Sequence, residues 1–71
     1  MKREYVESSS IRSMGYDKLN GTVEVEFESN GQVWQYYDVP EITYNEVRFA
    51  SSIGSTFHHL IRNQFRSARI G

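Results

Sequence analysis

The run Thr22-Val23-Glu24-Val25-Glu26-Phe27-Glu28 places an apolar side chain at every second position and a carboxylate at each position between. Strand side chains alternate faces with period two, so this pattern specifies a strand with one apolar and one wet, acidic face. A second run, Val33-Trp34-Gln35-Tyr36-Tyr37, follows after Glu28-Ser29-Asn30-Gly31-Gln32. Asn-Gly between two such runs signals a two-residue type I′ hairpin turn. With Asn30 and Gly31 at the tip, Phe27 is predicted to face Trp34 and Val25 to face Tyr36. On the other face, Glu28 meets Val33, Glu26 meets Gln35 and Glu24 meets Tyr37. Directly opposed residues share a face, so Trp34 and Tyr36 join Val25 and Phe27 in the core, while Tyr37 stands beside the glutamates. A one-residue slip would reverse every assignment.

The flanking segments extend this plan. Ile11, Met14 and Tyr16 suit an earlier strand with one irregularity, and Gly15 marks a bulge or a close backbone approach. Asp17 to Gly21 reads as a turn, which also accounts for the sequon-like Asn20-Gly21-Thr22. Pro40 suits the first position of a helix, with Glu41 near its positive end. Ile42, Val47, Phe49 and Ala50 give that helix an imperfect apolar stripe. Ser52 is the expected N-cap of a second helix, whose Ile53, Phe57, Leu60, Ile61 and Phe65 follow helical spacing. Gly54 in its first turn leaves room for a backbone to approach closely. The expected fold is α+β: a three-stranded antiparallel sheet (β-β-β) followed by two helices packed on one face. Residues 1–71 form one domain with its core in about 6–65. Residues 67–71 are expected to be a loosely held end, and so are 1–5, unless a short strand forms near Tyr5-Val6.

A chain of 71 residues buries a small core, and without cysteine it has no disulfide or cysteine-metal staple. Aromatic residues, 14% of the chain, must supply much of that core. No apolar run approaches the length of a membrane span, and the charged start lacks the apolar stretch of a signal peptide, so a cytoplasmic protein is expected. Charge is divided unevenly. Residues 1–46 carry four cationic side chains against nine carboxylates, a net of −5, and residues 47–71 carry four arginines and no acid. Such a split suggests an interaction surface on the basic half, unless the two halves simply neutralise each other.

The order Ser8-Ser9-Ser10-Ile11, Gly15-Tyr16-Asp17, Val23-Glu24-Val25-Glu26-Phe27, Tyr36, Val39-Pro40, Ala50, Ser52, Gly54, Phe57 and Ile61-Arg62 resembles the KTSC domain. That family is named for the C-terminus of some lysyl-tRNA synthetases and also occurs as small stand-alone bacterial and phage proteins. The likeness covers roughly residues 6–65. The family's Tyr-x-Tyr reads Trp34-Gln35-Tyr36 here. A role that needs only a large ring carries over to Trp34, whereas one that needs the first hydroxyl does not. The synthetase association implies RNA, tRNA in particular, as a partner.

Two functional expectations follow. The first is a non-enzymatic binding module for structured RNA such as tRNA. Its contacts would be His58, Arg62, Arg66 and Arg69, spaced i, i+4, i+8 and i+11 along one side of an extended second helix. A solvated basic helix end is the plainer account of the same residues. The alternative is a protein-interaction or self-association module, a homo-oligomer included, that uses the sheet edge. No catalytic residues, metal ligands, cofactor or membrane contact are expected. His58 and His59 project about 100° apart on a helix, whereas zinc-binding helices space ligands at i, i+4. The serines lack a nucleophile motif and suit caps and turns, with Ser8 and Ser9 holding either the sheet edge or a ligand.

Overall fold

The computed structural model describes all residues, Met1–Gly71. The alternating run is β3 (Thr22–Phe27), the centre of a five-stranded antiparallel sheet in the order β1-β2-β3-β4-β5. Its neighbours are β2 (Ile11–Asp17) and β4 (Val33–Tyr36), and the edges are β1 (Glu4–Tyr5) and β5 (Ser67–Arg69). Helix α1 (Glu41–Arg48) and helix α2 (Ile53–Phe57) follow β4, and α2 runs on into a π-helical turn at His58–Arg62. The α+β class and the two helices are as expected, but the sheet has five strands rather than three. Both chain ends are strands. The first pairs Glu4 with Met14 and Tyr5 with Ser13, and the last pairs Ser67 with Tyr36 and Arg69 with Trp34.

The hairpin between β3 and β4 departs from the expected register by two residues. Val25 faces Trp34 and Val23 faces Tyr36, while Glu24 faces Gln35 and Glu26 faces Val33. Phe27 N–H donates to Gln32 O and Gly31 N–H to Phe27 O, so Glu28 to Gly31 form a four-residue loop. A type I′ turn needs positive φ at both tip residues. Only Gly31, at φ 69°, has it, because the Asn30 carboxamide instead accepts from Gln32 N–H. A shift of two preserves side-chain parity, so Trp34 and Tyr36 keep the apolar face.

That face carries the core. Met14, Val23 and Val25 from the sheet are fully buried against Val47 of α1 and Ile61 of the π-turn, with Phe57 between. Ile11 joins them because β2 bulges at Arg12: Ile11 faces Phe27 but Ser13 faces Glu26. The extra residue lets Ile11 share a face with Met14 and Tyr16, which strict alternation forbids. Gly15 is therefore the close approach and not the bulge, since a Cβ there would collide with the Lys2 carbonyl. In α1 the expected stripe holds only in part, at Val47. Ile42 and Phe49 are exposed, whereas Val47 packs inward as expected and Tyr44 joins it, stacking on Tyr16 at 4.9 Å.

The second face of the sheet is also covered. Glu24, expected on a wet ridge, is only 5% exposed. Arg3 reaches over side-chain-free Gly15 to ion-pair with it, and Gln35 donates to its other oxygen at 2.9 Å. Arg3 Nε also donates to Ser13 Oγ, which donates to Glu26. A carboxylate out of water requires this kind of pairing.

Replacing Gly15 with alanine should push the Lys2–Arg3 backbone off the sheet and unseat the Arg3–Glu24 pair. Overpacking of this kind costs about 1–3 kcal/mol, read as a lowered urea midpoint. A second expectation concerns pH. The Tyr16 phenol lies above its ordinary value of 10.0, through burial first and then the Glu41 and Asp17 carboxylates, and burial likewise raises Tyr44. Tyr16 O–H donates to Val39 O at 2.5 Å, which requires the protonated form. With the folded value above the unfolded one, this stability is present below pH about 10 and lost as pH rises through the folded value. Thermal melting should therefore fall on the alkaline side, and less steeply for Tyr16→Phe.

Candidate functional site

A cleft of about 510 Å³ opens where the Ser8–Ser10 turn, the hairpin loop, β4, β5 and the π-turn meet. The Ser8 hydroxyl accepts from the amides of Ser10 and Ile11, closing the turn that starts β2. Ser8 is thus a turn former, whereas Ser9 and Ser10 line the cleft. Gly54 lies against this turn, since a Cβ on it would strike Ser10 Oγ. The close neighbour expected at Gly54 is therefore a side chain and not a backbone. Ser52 occupies the N-cap position of α2 but makes no side-chain capping bond.

Aromatic rings make the cleft's interior. Phe57 meets the rings of Phe27 and Tyr36 edge-on at 5.9 and 5.2 Å. Trp34, half-buried, has its indole N–H directed to Gln32 Oε1 at 3.2 Å. Tyr36 is 3% exposed as a whole and lines the cleft, where its hydroxyl makes no hydrogen bond within the chain. Burial raises its phenol, and the Arg62 guanidinium partly offsets this. A hydroxyl at the cleft surface that has no internal partner is free for a ligand or water.

The four basic residues expected on one helix side are divided among different elements. The helical segment ends at Asn63, so Arg66 lies beyond it and Arg69 belongs to β5. His58 and Arg62 line the cleft. The Arg62 guanidinium sits 5.7 Å over the Phe27 ring, and no carboxylate lies within 4.0 Å of it. Arg69 shares the Trp34 face at the sheet edge and donates to Gly71 O. Arg66 is turned away: it pairs with Asp38 at 3.2 Å and lies over Tyr37. Tyr37 keeps the Glu24 face as expected but is half-buried there, its hydroxyl donating to Gln35, which donates in turn to Glu24. Periodicity carried no sign that Ser9, Trp34 and the Tyr36 hydroxyl join His58 and Arg62. Their shared membership of the family pattern, Trp34 standing in for its first tyrosine, was the available clue.

Fold and cleft together define a small α+β domain of the KTSC type: the KTSC domain profile matches residues 7–65, and the chain belongs to that family. It is similar to a KTSC domain protein of Yersinia pestis known from its crystal structure. That match has a TM-score of 0.93 and 37% identity, and it covers 99% of this chain and 97% of the other. An uncharacterised protein of Stutzerimonas stutzeri is 39% identical over 64 residues, 90% of this chain and 89% of its own length. A lysine–tRNA ligase of a Nostoc species is 35% identical over 60 residues, which is 84% of this chain but 10% of the ligase. No helix is long and apolar enough to cross a membrane.

Because the Tyr36 hydroxyl bonds nothing inside the chain, Tyr36→Phe should leave folding stability within about 0.5 kcal/mol of the parent. Chemical denaturation of the two proteins side by side measures this.

Proposed function

We propose that the domain is a non-enzymatic binding module for structured RNA, tRNA in particular, and that the cleft is its contact surface. The observation that carries this is Arg62: a guanidinium without an acid partner at an aromatic-lined cleft. An uncompensated cation beside stacking surfaces is the chemistry that single-stranded segments of RNA require. The presence of a matching segment in a lysine–tRNA ligase supports tRNA as the RNA concerned. Arg62 and Arg69 take phosphates, and His58 lines the same cleft as Arg62. Arg66 contributes less, since Asp38 already meets its charge. The sheet-edge alternative has less support, because the edge strands have two and three residues and offer little backbone for strand addition.

Titration of labelled tRNA at two salt concentrations tests the proposal. Two phosphate contacts on unpaired RNA give a slope of log K against log salt of about −1.4. Arg62→Glu should abolish low-salt binding, and Arg66→Gln should change it little. No binding by the parent protein at low salt, or an unaffected Arg62→Glu variant, would overturn the proposal.

A further inference from the structure

We infer that the cleft accepts a single unpaired nucleotide, with its base against the Trp34 indole and its phosphate on Arg62. This rests on the cleft being the RNA contact surface, and it specifies what part of the RNA enters. The volume, about 510 Å³, lies in the range of small-ligand sites. A base pair within a helix cannot enter such a space, whereas a base outside its stack can.

The polar groups are placed for the same occupant. The Trp34 indole N–H is held by Gln32, which fixes the ring as a stacking surface without using its face. The Phe27 ring already carries the Arg62 guanidinium and is less available, so Trp34 is the platform. Deeper in, the Tyr36 hydroxyl is an unpartnered donor and acceptor on a residue that is 3% exposed. Such a group suits a base edge or a ribose hydroxyl, and phosphate alone would not use it. Arg62 is placed differently from Arg3, Arg48 and Arg66, each of which faces a carboxylate. Its charge is the one within the cleft free to meet a phosphate. A second hollow of about 440 Å³ shares Ser9, Ser10 and Gly54 with the cleft. Glu7 lines it, so phosphate is directed to the Arg62 side.

Trp34 is the chain's one tryptophan, so its fluorescence reports the cleft directly. Three probes are titrated: a short single-stranded RNA of mixed sequence, the same sequence as a blunt duplex, and inorganic phosphate. The single strand should quench Trp34, and the duplex and phosphate should not. Calorimetry with the single strand then compares variants. Trp34→Leu should weaken binding about tenfold or more, Trp34→Phe should retain most of it, and Tyr36→Phe should weaken it severalfold while folding normally. Equal quenching by duplex and single strand, or equal binding by Trp34→Leu and the parent, would overturn the inference. So would the absence of any Trp34 response while labelled tRNA still binds in an Arg62-dependent manner, which leaves the RNA-binding proposal standing. Absence of both overturns the two together.

Discussion

On β3, Val23 and Val25 face the helices while Glu24 and Glu26 face away, and pairing with β4 passes that parity on to Trp34 and Tyr36. Much else depends on this. The buried Val23 and Val25 form a surface on which Val47, Phe57 and Ile61 pack, and that packing sets where the helices stand. Tyr36, meeting Phe57 edge-on, then turns its hydroxyl to the cleft, and Trp34 lines the same space. A one-residue slip would carry both aromatics to the Arg3–Glu24 side and remove core and cleft together.

The opposite face shows how a small sheet manages charge. Glu24 is nearly inaccessible, yet no buried side-chain polar atom lacks a partner. Arg3, Ser13, Glu26, Gln35 and Tyr37 form a connected hydrogen-bonded layer there. Part of the charge split between the chain's two halves is absorbed internally in the same way, with Arg48 near Glu4 and Arg66 on Asp38. Arg62 stands apart because its neighbours are rings and hydroxyls. A basic residue's meaning therefore lies less in its position along the chain than in what faces it.

Several elements were legible from residues alone. Alternation identified β3, Pro40 marked the entry to α1, and the Ile53, Phe57, Ile61 spacing identified the buried side of the second helix. The irregularity needed to bring Ile11 into line with Met14 and Tyr16 was also legible, although it falls at Arg12 and not at Gly15. Helical spacing put His58 and Arg62 on one side of the second helix, and both line the cleft. Arg66 and Arg69 were assigned to the same helix side, which ends before it reaches them. Trp34 was assigned to the core and Ser9 was left between the sheet edge and a ligand, because nothing local marks a residue as lining a space made by distant elements.

The sequence by itself determined which residues alternate, which recur at helical spacing, and hence the α+β class and the face on which Trp34 and Tyr36 lie. Those properties depend on neighbours a few positions away, and short-range backbone geometry suffices to express them. Tertiary structure alone decided the hairpin register, the strand state of both ends and the composition of the cleft. Ser67–Arg69 has little intrinsic preference for extended structure, and it becomes β5 because β4 would otherwise present an unpaired edge. The cleft likewise exists only where five separate segments meet, and its chemistry follows from which polar groups the packing leaves without partners.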